Sequence, residues 1–360
     1  MLISTTCGFF HPDDISGLLN AWQNSRITIE ELLNERTAQQ HISWNVQREH
    51  GIHHIPSNDV VLTDPVYNTA GLLGIGEKDP GRRLVDYYKK SLPKRKWYQM
   101  DIDFATPVMT SGQTFQVSET EVIEDFEKAK SEGLITRPVL VGPITFMDFS
   151  SISEGSENAL GMWSALLPAY RRVIEILIEK GAEWIQFDEP CFTRPQKRDV
   201  TKLAEVFYTE LLKGLDVKTC LTTYSGGLGD NLRRVMMLPV TAVHFDLISE
   251  PEQYTQVLDN DWGKVLSLGI LDGHNSDVTP LSAQLRLVER SVNQVGLRRT
   301  MVGPSCPFYC YQGEEGQSNE TRRDKLKLLS TMAKAMNVGK AYIQKEVEEN
   351  QNRLSRLQKT

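Results

Sequence analysis

Carboxylates, a histidine and a cysteine recur at the ends of short apolar runs in this chain, and that placement carries chemical content. Asp188 closes Trp184–Asp188 (WIQFD), Asp246 sits in Ala242–Leu247 (AVHFDL), and Asp272-Gly273-His274 follows Val265–Leu271 (VLSLGIL). Cys306 follows Thr300–Ser305 (TMVGPS), Thr222 and Tyr224 end Lys218–Tyr224 (KTCLTTY), and Asp59 comes late in Ile52–Leu62. If these runs are strands, residues two apart share a face. Gln186 then goes with Asp188, Cys220 with Thr222 and Tyr224, and His244 with Asp246. Carboxylates gathered at one pocket repel each other and need a cation, a metal ion or a proton between them. An ammonium ligand would satisfy them, and so would a divalent metal. His274 would add a general acid or base near neutral pH.

The elements that must position these residues follow a rhythm. Pro138–Phe146 (PVLVGPITF) reads as a further strand, and the strands alternate with longer amphipathic stretches. In Leu160–Lys180 the residues Met162, Trp163, Leu166, Leu167, Tyr170, Val173, Ile174 and Leu177 recur at helical spacing, and Gly181 ends the run. Such alternation implies parallel strands, in a barrel or an open doubly wound sheet. Polar residues at nearly every strand end favour the barrel, whose active-site face is built from all the C-terminal strand ends. A doubly wound sheet would concentrate them at one switch point. Neither Gly71, Gly74, Gly76 nor Gly226, Gly227, Gly229 has the spacing of a dinucleotide fingerprint. The expected fold is α/β, a single (β/α)8 TIM barrel over residues 1–345. Before residue 130 the pattern is less regular. A helix is expected over Thr28–His50, a strand broken at Pro56 over Ile52–Leu62, and an insertion or hairpin over 76–115. Thr321–Thr360 reads as helical, with a polar tail over 346–360.

Composition narrows the class. The chain has 360 residues, 40% of them hydrophobic, and a net charge of −7. Its densest basic run, Lys89–Lys96, is short and broken by Pro93, so no nucleic-acid partner is expected. No stretch approaches the roughly 18 apolar residues of a membrane span. Five scattered cysteines and no apolar leader point to free thiols in the cytoplasm.

At these residues the sequence resembles the N-terminal barrel of cobalamin-independent methionine synthase. The likeness runs from Cys7-Gly8-Phe9-Phe10 through Gly51–Gly74, Lys96-Trp97-Tyr98, Arg137–Phe146, Leu166–Val173, Gly181–Pro190, Leu221–Leu232, Leu238–Leu247 and Gly303–Cys306. That family has two related barrels, with its chemistry in the C-terminal one. There a zinc held by a His-x-Cys pair, a Glu and a distant Cys turns the homocysteine thiol into a thiolate that attacks the methyl group of methyltetrahydrofolate. Projected onto this chain, the pair falls on Thr222 and Tyr224, the Glu on Asp246 and the distant Cys on Cys306. A shifted zinc site would draw on Cys220 or His244 beside Asp246 and Cys306.

The resemblance further implies that Asp59 and Asp188 grip the ammonium of an amino-acid-like, thiol-bearing substrate, with Thr5-Thr6-Cys7-Gly8 against it. Catalytic roles would fall to His274, Asp272 and Cys306, and Thr222, Tyr224, Lys96 and Trp97 would line the binding site. Where the family carries a basic helix for the folate polyglutamate tail, this chain reads His11-Pro12-Asp13-Asp14-Ile15-Ser16, and two carboxylates would repel that tail. On this likeness the chain ends where a second barrel is expected to begin. The expected activity is methyl or alkyl transfer. The alternatives are a non-catalytic barrel that docks on a separate zinc-bearing catalytic barrel, or other chemistry on the same scaffold.

Overall fold

The computed structural model describes residues 1–8, 15–153 apart from 91, 99, 101, 111 and 119, 162–274 apart from 261, 281–308, 319–339, 348 and 352. Eight strand positions make the barrel. They are β1 (Ile3–Ser4), β2 (Ile55–Pro56), β3 (Thr136–Arg137 and, past Pro138, Val139–Val141), β4 (Trp184–Asp188), β5 (Lys218–Thr222), β6 (Ala242–Asp246), β7 (Val265–Leu271) and β8 (Thr300–Pro304). Neighbours pair in parallel from β3 to β8 and on to β1. The ring closes on the far side, where Thr5 bridges His54 and β2 pairs with β3. This is the expected (β/α)8 barrel.

The alternation within each strand sorts its residues. Ile185, Phe187, Leu221, Val243, Phe245, Leu266, Leu268 and Val302 are buried in the main apolar core. Each such side chain contributes roughly 1.5–3 kcal/mol by leaving water. The opposite positions carry Gln186, Cys220, Thr222, His244 and Ser267, all buried. Barrel interiors are normally filled by branched apolar residues. Here the interior is polar, and its groups bond to one another.

Helix Ile29–Glu49 matches the expected span. Thr28 and Glu31 form a capping box at its start. Its Arg36 reaches Asp125 on helix Glu121–Ser131 with both forks of the guanidinium, and the pair is buried. Two expected strands come out shorter. The run Pro138–Phe146 stays extended only to Val141, and Pro143–Phe149 is a helix. Pro143 stands in its first turn, where a missing N–H does no harm. The buried Glu189 carboxylate accepts from the amides of Ile144 (3.1 Å) and Thr145 (2.6 Å). In Ile52–Leu62 only Ile55–Pro56 pairs as strand.

The insertion expected over 76–115 holds a helix, Pro80–Lys89, an antiparallel hairpin of Lys94–Lys96 with Asp103–Ala105, and Val108–Met109, which pairs in parallel with Ser151–Ile152. The C-terminal helix spans Asn319–Val338. The polar tail over 346–360 lies outside the described residues apart from 348 and 352, as does the acidic stretch 11–14. Among the described residues no helix is long and apolar enough to cross a membrane.

Candidate functional site

Asp188 ends β4 at the C-terminal mouth of the barrel and is buried. Gln186, one alternation back, donates to its Oδ1 at 2.5 Å. Tyr224, just past β5, reaches Oδ2 at 3.5 Å. Trp97, carried over the mouth by the insertion hairpin, donates from Nε1 to the Tyr224 hydroxyl at 3.3 Å. Trp97 is wedged among Tyr98, Phe104 and Phe149, with ring centroids about 5 Å apart, which fixes its indole. Gly8 faces the same carboxylate: a Cβ there would sit 3.7 Å from Oδ2. Burial pushes the Asp188 carboxyl up to about 7, against the pull of the Gln186 hydrogen bond and the Arg137 charge. A cavity of only about 10 Å³, room for a single water, touches Asp188, Asn58, Asn68 and Val139.

Asp59 is placed differently. Its carboxylate accepts from Gln40, from Ser43 at 2.6 Å and from Gln47 at 2.7 Å, all on helix Ile29–Glu49. Burial lifts it to about 7 as well. No hydrogen bond joins it to Asp188 among the described residues. Asp59 is thus held by the helix, and Asp188 by Gln186 and Tyr224.

The remaining positions divide into two groups. Asp272 and His274 follow β7, and Asp272 Oδ1 accepts from the His274 backbone amide at 2.7 Å. Gly273 between them packs on Cys306, so closely that a Cβ would lie 2.5 Å from its Sγ. These three expected catalytic residues are neighbours at the β7–β8 strand ends. Burial, and then the nearby Asp246, push the Cys306 thiol well above its ordinary value. Lys96, by contrast, is exposed on the hairpin and pairs with Asp103 at 3.3 Å. Lys94, Arg95 and Lys96 are all exposed, while Trp97 is buried.

The expected metal set is corrected. Asp246 accepts at Oδ2 from the Ser225 and Gly226 amides and the Ser249 hydroxyl, and at Oδ1 from the Ile248 and Ser249 amides. Both oxygens are committed to the loops that follow β5 and β6. His244 Nε2 lies 3.0 Å from Cys7 Sγ and its Nδ1 lies 2.9 Å from Ser267 Oγ. Cys7 donates to the Pro304 carbonyl at 3.0 Å, so its sulfur faces His244 as an acceptor. Burial and the Arg137 charge drop His244 to about 3 and keep it neutral. Cys220 Sγ rests against Thr222 Oγ1 at 3.7 Å. Among the described residues no three His, Cys, Asp or Glu side chains converge as a ligand set. Asp246, Cys306, His244 and Cys220 do not fit a zinc ion.

Arg137 carries no expected role in the sequence, and Cys7 is expected only as part of the Thr5–Gly8 segment. Arg137, on β3, is buried and donates to Gln186, and Cys7 meets His244. The signal was present, since Arg137 and Gln186 occupy inward alternation positions where a packed barrel would hold apolar side chains.

A closed parallel barrel with a polar interior and a buried carboxylate at its C-terminal mouth defines the class of the fold and the face on which such barrels bind ligands. Residues 15–296 match the family described as cobalamin-independent synthase, N-terminal domain. The chain belongs to that family. A 5-methyltetrahydropteroyltriglutamate–homocysteine methyltransferase of Parvibaculum lavamentivorans is 30% identical over 348 residues, covering 89% of this chain and 46% of that protein. One from Nitrobacter winogradskyi is 33% identical over 298 residues, covering 73% and 39%. The chain thus spans less than half the length of these relatives. Among solved structures, a B12-independent methionine synthase from a Shewanella species, in complex with selenomethionine, aligns with TM-score 0.71 at 14% identity, over 94% of this chain and 98% of that one. A putative vitamin-B12-independent methionine synthase from Listeria monocytogenes aligns with TM-score 0.69 at 15% identity, over 93% and 99%. At those identities the likeness is one of fold.

Proposed function

We propose that this barrel is a methionine-synthase-like transferase and that Asp188 receives the ammonium of an amino-acid-like, thiol-bearing substrate. One observation carries the reading. Asp188 is a buried acid at the strand-end face, and its partners there are the neutral Gln186 amide and Tyr224 hydroxyl. A cationic head group would complete its charge, because an isolated buried carboxylate is costly. The homocysteine named for the curated relatives has such a group and a thiol. In this reading His274 takes the thiol proton, the sulfur bonds to the transferred carbon, and the leaving group keeps the electron pair of the broken bond. Asp272 holds the turn that carries His274, and Cys306 packs beneath it. No step is assigned to a metal, since this chain's residues do not fit one. The methyl donor is the donor class named for those relatives, a methyltetrahydropterin.

A thermal-shift titration with homocysteine, methionine and norleucine tests the reading. Homocysteine and methionine are expected to raise Tm in the wild type and to lose that effect in Asp188→Asn. If no amino acid moves Tm, the reading falls.

A second reading has its own support. The metal set, unassembled among the described residues, favours a barrel that works beside a zinc-bearing one. Size-exclusion chromatography of the chain with a stand-alone catalytic barrel tests it, and independent elution at micromolar concentrations counts against it.

A further inference from the structure

Gln186 stands between two buried charges. On one side the Arg137 guanidinium donates through Nη2 to Gln186 Oε1, to Thr5 Oγ1 at 2.8 Å and to the Thr6 carbonyl at 3.2 Å. Among the described residues no carboxylate lies within ion-pair distance of Arg137, and its Nε and Nη1 have no hydrogen-bond partner. On the other side Gln186 Nε2 donates to Asp188 Oδ1 at 2.5 Å and reaches the Cys7 carbonyl at 3.4 Å.

A glutamine amide has one accepting oxygen and one donating nitrogen. With the oxygen taken by the guanidinium, only N–H groups remain to face the carboxylate. The flipped amide would set its NH2 against a cation and its oxygen against an anion, losing two charge-assisted hydrogen bonds at once. We propose that Arg137 is a positioning residue for Asp188. Acting through Gln186, its guanidinium fixes the amide so that a donor faces the carboxylate, and it thereby holds Asp188 as the anion that receives a cationic group.

The proposal rests on the ammonium reading of Asp188 for its purpose, but not for its test. The groups facing Asp188 are Arg137 from β3, Gln186 and Glu189 from β4 and its extension, Cys220 and Tyr224 from β5 and its extension, and Cys7 beyond β1. Glu189 raises the proton affinity of Asp188, while Arg137, Gln186 and Tyr224 lower it. The two neutral thiols are not charged partners at neutral pH.

Infrared difference titration of the protonated carboxyl band, assigned by its absence in Asp188→Asn, reads the Asp188 midpoint directly. The wild-type midpoint is expected near neutrality. In Arg137→Gln and Gln186→Met it should rise by about one pH unit or more. Arg137→Lys keeps the charge but loses the planar fork, and the midpoint should rise part of the way. An unmoved midpoint in Arg137→Gln overturns the proposal. If that variant does not fold, an unmoved midpoint in Arg137→Lys overturns it instead. Homocysteine binding to the same samples separates the two ideas. A shifted midpoint without binding to the wild type overturns only the ammonium reading. Binding lost in Asp188→Asn, with unmoved midpoints in the relay variants, overturns only the relay.

Discussion

Replacing Asp59 by asparagine should flatten the pH dependence of stability, and the size of the change follows from the burial of the group. Asp59 is lifted to about 7 in the folded chain, first by burial and against three side-chain hydrogen bonds and one from its own backbone. In the unfolded chain an Asp carboxyl titrates near 3.9. The folded state therefore holds its proton more tightly. Its contribution to stability is fully present below the unfolded pKa and is lost as pH rises towards 7. Each pKa unit corresponds to about 1.4 kcal/mol, so between pH 5 and pH 8 this one group removes roughly 3 kcal/mol. The asparagine amide does not titrate and carries no such change. It keeps one acceptor for the Gln40, Ser43 and Gln47 donors and turns an NH2 towards the others, so the variant should be less stable than wild type at pH 5. Urea unfolding at the two pH values measures both quantities. The wild type should lose about 2–3 kcal/mol more than Asp59→Asn on going from pH 5 to pH 8. Parallel losses in the two proteins would refute the reasoning, because Asp59 would then be ionised in the folded state throughout that range.

Other consequences follow from the same packing. Gly142→Ala would place a Cβ 2.2 Å from the Glu189 carboxyl carbon and dislodge the cap on helix Pro143–Phe149. A stability loss of about 2 kcal/mol or more is expected, read as a fall in Tm, and an unchanged Tm would mean the two segments are not locked together. Arg36→Met strands the buried Asp125 charge and should destabilise by about 3–5 kcal/mol, whereas the double change Arg36→Met with Asp125→Leu should recover most of the loss. Denaturant melts of the single and double variants decide this. Cys7, Cys191, Cys220 and Cys306 are buried, and burial raises each thiol. Only thiolate reacts, so a neutral-pH thiol reagent should label these four only on unfolding, and rapid labelling of Cys7 or Cys306 in the native protein would contradict their placement.

The strand–helix rhythm made the barrel legible, because a period-two apolar run and a helical stripe look different in sequence. β4 and β7 emerge with the expected bounds, and the Thr28 cap announces its helix. Pro138–Phe146 was harder. An apolar run does not say where it stops being a strand, and only the Gly142-Pro143 step marks the break. At the site, alternation paired Gln186 with Asp188 correctly. What sequence could not supply was the use each carboxylate makes of its own surroundings. Asp246 and Asp188 end strands alike, yet one is consumed by amides of its own and the preceding loop and the other is not. Asp59 is claimed by a helix that precedes it in the chain, and nothing local signals that contact. Lys96 and Trp97 are adjacent, and only the hairpin geometry shows which of them turns inward.

Isothermal titration of homocysteine into the wild type and into Asp188→Asn, at matched pH near neutrality, tests the central claim most directly. The wild type should bind, and the variant should bind more weakly by about 2 kcal/mol or more, about thirtyfold in Kd, because the ammonium loses its counter-charge in a buried site. Equal affinity in the two proteins, or no heat of binding in either, would contradict an amino-acid site built on Asp188.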